Sequence, residues 1–178
     1  MSENNIDFTF VIPNTRWHRE GEGRYWNHIP YPEGILTAVL RKNGFKVNHI
    51  DANVNDYTED ELFEEVSKKA GKVVGISALS VEYRDSVHKT FGIIKSARPY
   101  AKTVLGGVYP SISPEVAKKD ENVDFIVISE GEKRLLQLMN CLKNNQPFDD
   151  IDGLHYRVGK EWKHNPRKIT GNLEEQKS

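Results

Sequence analysis

One cysteine, Cys141, occurs in the 178 residues of this chain. A single thiol closes no internal disulfide and completes no multi-cysteine metal or iron–sulfur site. It stands among Leu138, Met139 and Leu142, the setting of a buried helix cysteine. Neither sign of charge is in excess: 25 Lys and Arg face 26 Asp and Glu, a net charge of -1. Such a balance gives no overall field to draw in nucleic acid or acidic lipid. No apolar run approaches the roughly 18 residues of a membrane span. The opening Met1-Ser2-Glu3-Asn4-Asn5 lacks the basic and apolar regions of a signal peptide, so a cytoplasmic location is expected. There is no Gly-x-Gly-x-x-Gly after the first apolar run, no P-loop, no paired-histidine spacing and no Gly-x-Ser-x-Gly elbow. The first of these absences discounts nicotinamide binding, and the others remove the remaining common site motifs. Internal repeats and low-complexity segments are also missing.

What is present is a regular alternation. Hydrophobic residues make up 37% and charged residues 29%, which suits one well-buried domain. Apolar runs at 8–12, 45–50, 73–78, 103–105 and 125–128 read as strands buried on both faces. Between them lie helical patterns at 33–43, from Thr58 through Leu62, Phe63 and Val66, at 82–97, a short one from Ser113-Pro114, and at 131–143. Thr58 with Glu61 is a capping box, and Gly44 is a left-handed stop. Ser129 with Glu132 reads as a second capping box. The expected fold is α/β: a doubly wound, five-stranded parallel sheet of flavodoxin-like order 2-1-3-4-5. Residues 1–148 form this domain. Residues 149–166 read as a small β-hairpin appendage turning at Gly159-Lys160, and 167–178 as a polar tail.

In such sheets ligands bind outside the carboxyl ends of the strands. Two neighbouring runs here end in glycine-bearing turns, Gly106-Gly107 and Ser129-Glu130-Gly131-Glu132, where a bulky group can approach the backbone. The long loop 14–32 interleaves Arg16, Trp17, Arg19, Arg24, Tyr25 and Trp26. Single-strand nucleic-acid binders use that mixture. Glu20, Glu22 and the balanced charge weigh against it, and a loop folding over a ligand or partner is the preferred reading.

The order and spacing of these parts resemble the cobalamin-binding domain at the N-terminus of many radical S-adenosylmethionine enzymes. The resemblance runs through Tyr31-Pro32-Glu33-Gly34-Ile35-Leu36, Leu40-Arg41-Lys42-Asn43-Gly44-Phe45 and Asp51-Ala52-Asn53. It continues through Ser77-Ala78-Leu79, the two glycine-bearing turns and Ile151-Asp152-Gly153-Leu154. It implies cobalamin as cofactor and a radical S-adenosylmethionine domain or protein as partner, with no nucleic acid or membrane involved. Related cobalamin domains of the methionine-synthase and mutase type carry Asp-x-His-x-x-Gly. Here Gly34 keeps the glycine, but Tyr31 stands at the histidine and Ile29 at the aspartate. Histidine ligation of cobalt from that place is therefore absent, and His18 and His28 are read as solvated loop residues. The cluster of the radical domain needs three cysteines, which this chain lacks.

The resemblance implies a slot for the nucleotide tail at Ser77, Leu79, Gly106 and Gly107, with Ser80 and Val108 beside it. Tyr109 and Pro110 are expected over the ring, Tyr31 against its lower face, and Ser129, Glu130 and Gly131 on the same rim, with Gly34 in the first helix. A bulky residue at Gly107 is expected to abolish binding without unfolding the domain. The reading is a cobalamin-binding module presenting its cofactor for methyl transfer or radical chemistry elsewhere. The alternative is an interaction or sensory module that keeps the fold without cobalamin.

Overall fold

The structure, a computed structural model, describes residues 5–18 and 30–167. Of the long loop, Arg19 to Ile29 lie outside the described residues, as does the polar tail after Arg167. The readings placed on Arg19, Arg24, Tyr25, Trp26 and His28 therefore lie outside them too.

Strands and helices alternate as their apolar patterns require. In chain order they are β1 (Phe8–Ile12), α1 (Tyr31–Lys42), β2 (Val47–Asp51), α2 (Glu59–Lys69) and β3 (Val73–Ser77). Then come α3 (Arg84–Ala97), β4 (Lys102–Gly106), α4 (Val108–Ile112), α5 (Pro114–Ala117), β5 (Phe125–Val127) and α6 (Glu132–Asn144), and finally β6 (Leu154–Val158) and β7 (Glu161–His164). They make one mixed sheet of order β2-β1-β3-β4-β5-β6-β7. The first five strands run parallel.

The hairpin is thus not an appendage beside a five-stranded sheet. It extends the sheet to seven strands, with Ile126 opposite His155 and Val127 opposite Leu154 in antiparallel register. The reason is twofold. β5 would otherwise end the sheet with a row of unpaired backbone groups. The hairpin also carries apolar side chains that the core takes up: Leu154 is fully buried and Tyr156 nearly so.

Side chains alternate between the two faces, as strand geometry demands. Phe8, Phe10, Val73, Val104, Phe125 and Val127 face α1 and α6 with Leu40, Leu135 and Leu138. Val11, Val74, Ile76, Leu105 and Ile126 face α2 and α3 with Leu62, Val66, Phe91 and Ile94. β1, β3, β4 and β5 are therefore covered on both sides.

Three local readings need correction or confirmation. The Thr58–Glu61 capping box forms, each residue's side chain meeting the other's backbone N–H. The Ser129–Glu132 box does not form. Helix α6 starts after Gly131 with no side-chain cap, while Ser129 takes a left-handed φ of 68°. Its N–H donates instead to Ser111 Oγ at 2.8 Å. Helix formation also resumes earlier than Ser113-Pro114, because Val108–Ile112 already coils as α4 directly after Gly107.

The visible start of the long loop folds onto the α2–α3 side. Trp17 Nε1 donates to the Tyr57 carbonyl at 3.0 Å, and Lys89 lies over its ring. Arg16 pairs with Asp56 at 2.6 Å. These two residues are held as anchors rather than displayed as a stacking surface.

Candidate functional site

At the carboxyl edge of the parallel strands, α1 and α6 stand clear of the sheet and leave a cavity of about 280 Å³. Its floor comes from β1, β3, β4 and β5, through Phe8, Phe10, Gly75, Ser77, Val104, Gly106 and Val127. Its roof comes from Tyr31, Pro32, Ile35 and Leu36 of α1 and from Glu132 and Leu135 of α6. The turn Ser129-Glu130-Gly131 closes one side.

Seven of the expected residues meet here: Tyr31, Ser77, Gly106, Gly107, Ser129, Glu130 and Gly131. The two glycines of the β4 turn do different work. A β-carbon on Gly106 would meet nothing nearer than the Val127 carbonyl oxygen at 3.9 Å. Its missing side chain is open cavity. Gly107 has φ +95°, and a β-carbon there would lie 2.6 Å from the Ala78 carbonyl oxygen. Its missing side chain is what lets two backbone segments touch. Ala78 N–H donates to Gly106 O at 2.8 Å, and Tyr109 N–H donates to Ala78 O at 3.0 Å. The turn after β4 is thereby laced to the turn after β3.

A second lacing joins the turns after β4 and β5. Ser111 Oγ donates to the Gly107 carbonyl at 2.8 Å and accepts from Ser129 N–H. Arg134 secures the far side: Nη1 donates to Glu130 O at 2.6 Å. Its Nε donates to Asp152 O at 2.8 Å and Nη2 to Asp152 Oδ2 at 2.7 Å. So rim residues are fixed by strand ends and by hydrogen bonds between turns before any ligand arrives.

The other expected residues fall elsewhere. Leu79 lines a second cavity of about 170 Å³ with Ile12, Pro13, Thr15, Glu33, Ala78, Tyr83 and Val87, and only Ser77 borders both. Ser80 Oγ accepts from Glu82 N–H at 3.2 Å as the cap of a 3-10 turn. Val108 is exposed outside the cavity. Gly34 lies in α1 with nothing within 4 Å of its β-carbon position.

Tyr109 is the clearest correction. It is fully buried on the α2–α3 side, and Pro110 is buried too, so neither lies over the cavity mouth. The Tyr109 hydroxyl and His88 Nε2 are 2.7 Å apart, and His88 Nδ1 lies 2.7 Å from Asp120 Oδ2. Burial raises the phenol above its ordinary range. Burial would also raise Asp120. Its hydrogen bonds to His88 and Asn122 outweigh that and hold its carboxyl below the usual range. A helix begins at Val108, which turns position 109 inward.

Sequence reasoning passed over the walls of the cavity: Phe8, Phe10, Leu36, Val104, Val127 and Leu135. Each is an ordinary core residue by type. The period-two pattern that puts Phe8 with Phe10 and Val104 with Gly106 on one face was a usable signal. Among the described residues no group of three or more His, Cys, Asp or Glu side chains is placed to hold a metal ion, and no helix is long and apolar enough to cross a membrane.

Comparison with known proteins gives this geometry a context. The family described as B12 binding domain matches residues 28–139. Cytidylyl-2-hydroxyethylphosphonate methyltransferase of Streptomyces wedmorensis is 27% identical over 146 residues, which is 71% of this chain and 27% of that protein. Anaerobic magnesium-protoporphyrin IX monomethyl ester cyclase of Rubrivivax gelatinosus is 29% identical over 152 residues, 83% of this chain and 27% of that protein. The chain therefore spans about a quarter of the length of these relatives. The fold is shared with the radical S-adenosylmethionine methyltransferase TsrM of Kitasatospora setae, solved with cobalamin and a 4Fe-4S cluster bound. There the TM-score is 0.73 at 20% identity, over 91% of this chain and 29% of that one. It is shared also with the cobalamin-dependent S-adenosylmethionine radical enzyme OxsB, solved with aqua-cobalamin and S-adenosylmethionine. There the TM-score is 0.74 at 24% identity, over 95% of this chain and 23% of that one. The family match takes in most of the chain and every cavity-lining residue except those of β1, and the chain belongs to the B12 binding domain family.

Proposed function

We propose that this chain is a cobalamin-binding module that holds the cofactor at the carboxyl edge of its sheet. The observation that carries the reading is the open cavity between the sheet and helices α1 and α6. Leu or Tyr side chains filling that space would have spoken against it. Instead Gly106 leaves the mouth clear and Ser77 is the small residue at the end of β3. These features fit a group with a flat ring and a narrow tail. The tail would enter past Ser77 and Gly106, and the ring would rest over the mouth against the turn Ser129-Glu130-Gly131. Tyr31 is 72% exposed at the first turn of α1. It would cover the lower face of the ring, where it offers an aromatic surface and not an imidazole ligand.

When bound, cobalamin supplies a cobalt centre able to carry a methyl group or an electron. This chain's residues would bind the ring, orient it and keep water from one face. The titles of the solved structures that share the fold, TsrM and OxsB, support a radical S-adenosylmethionine domain or protein as the partner that would use the cofactor. The test is a visible absorption titration of the purified chain with hydroxocobalamin, followed by desalting. Retained red colour at one equivalent is expected, with bands free of a protein nitrogen ligand. A colourless protein would overturn the reading and favour a module that keeps the fold without the cofactor.

A further inference from the structure

The cavity has an inner end whose chemistry is more selective than its mouth. Phe8 and Phe10 meet there with ring centroids 4.6 Å apart. The tip of the Phe8 ring points at Gly75, where a β-carbon would sit 2.4 Å from Cζ. Glycine at 75 is thus what leaves room for the end of that ring at the inner wall. Val104 and Val127 carry the floor from there towards the mouth, and Leu36 and Leu135 close the cavity from the helices. All six side chains are apolar.

The backbone offers nothing in compensation. Gly75 is paired with Val104, and Val104 with Phe125, within the parallel ladder. Their N–H and C=O groups are engaged along the strands. The polar side chains that border the cavity, Tyr31, Ser77, Ser129, Glu130 and Glu132, all sit at strand ends, in the turn or at the start of α1 or α6. They belong to the mouth. A polar group carried to the inner end would leave its water behind and find no partner there, which is costly. A planar apolar ring would meet two aromatic rings and four aliphatic side chains, which is favourable.

We infer that this cavity selects among corrinoids by the base on the nucleotide tail: it takes an apolar ring, of the phenol or benzimidazole class, and rejects a purine. The inference rests on the cobalamin reading and sharpens it. An adenine base brings an exocyclic amine and several ring nitrogens into the walls of Phe8, Phe10, Val104 and Val127. A cresol base brings none.

The experiment compares the methyl forms of a p-cresolyl cobamide and an adeninyl cobamide, with cobinamide, which has no base, as the third probe. The visible spectrum of each, taken before mixing, checks that the base is already off the cobalt, so the cost of detaching it does not enter. Affinities are read by absorption or calorimetric titration of the purified chain. The cresolyl form is expected to bind at least tenfold tighter than the adeninyl form and tighter than cobinamide. Val127→Thr, which adds one hydroxyl to the floor, is expected to narrow the gap between the two bases, with a melting curve to check the fold. Equal affinity for the two cobamides, or preference for the adeninyl form, would overturn the inference and leave the cobalamin reading standing. Cobinamide binding as tightly as the cresolyl form would place the tail outside the cavity and also overturn it. Failure to retain any of the three would overturn both.

Discussion

A β-carbon at Gly107 would lie 2.6 Å from the carbonyl oxygen of Ala78, closer than any side chain permits. That approach is what aligns the turns after β3 and β4 into one rim. Gly107→Ala should therefore strain the backbone at φ +95° and cost more than about 2 kcal/mol. A fall in melting temperature of roughly 4–8 °C is expected for a domain of this size. A bulky residue here disturbs the rim itself, so loss of binding at this position would not report on the cavity alone. An unchanged melting curve would show that the rim tolerates separation of the two turns.

Gly106 is the position that reads the cavity alone. Its β-carbon would have only the Val127 carbonyl oxygen, at 3.9 Å, within reach. Gly106→Val should leave the melting temperature within about 2 °C, the shift of less than 1 kcal/mol, and lower retention of hydroxocobalamin by tenfold or more. Full retention after desalting would mean that the cofactor does not pass this point.

Tyr109 is tied to His88 and acts within the core. Tyr109→Phe removes one hydrogen bond from the Asp120–His88–Tyr109 chain and should cost about 1 kcal/mol. Corrinoid affinity should be unchanged. A weakened affinity at constant stability would place the hydroxyl in the site after all.

Arg134 joins the rim to the hairpin loop through Glu130 and Asp152. Its side chain is 11% exposed and that of Asp152 19%, so loss of the pair is felt. Arg134→Met keeps the stem packed and should cost about 2 kcal/mol, the worth of a hydrogen bond to a charged group. Hydroxocobalamin should dissociate faster, because Glu130 loses its tether. A variant as stable as the parent in urea would remove Arg134 from the account.

His155 makes the fold sensitive to mild acid. It faces His164 across the β6–β7 pair with ring centroids 5.6 Å apart. Burial, then Lys118 and His164, push its pKa from 6.5 down to about 4. The unfolded chain binds the proton first, so stability from this group is complete above about pH 6.5 and is lost as pH falls towards 4. Asp120, with a folded pKa lowered from 3.8, contributes only at lower pH. Melting temperatures should decline between pH 7 and 4.5, and His155→Gln should flatten that decline. Equal slopes for the two proteins would assign it to other groups.

Local chemistry written along the chain determined the alternation of strands and helices. Runs such as Phe8–Ile12 and Val73–Ser77 are apolar at every step or nearly so, which only two-sided burial explains. Thr58 with Glu61 capped α2 as read, because both partners lie within one turn. The turns after β3, β4 and β5 were legible for the same reason: small residues directly follow apolar runs. Tertiary structure alone decided which of those residues share a cavity. Tyr109 and Leu79 are two residues from Gly107 and Ser77, yet one is turned into the core and the other into a different hollow. The direction depends on where α4 and the 3-10 turn begin, and contacts made far along the chain set that. The hairpin's place at the edge of β5 and the aromatic inner wall of Phe8 and Phe10 were likewise hidden. An apolar residue reads the same in sequence whether it fills a core or lines a space, and only the separation of the helices above the sheet distinguishes the two.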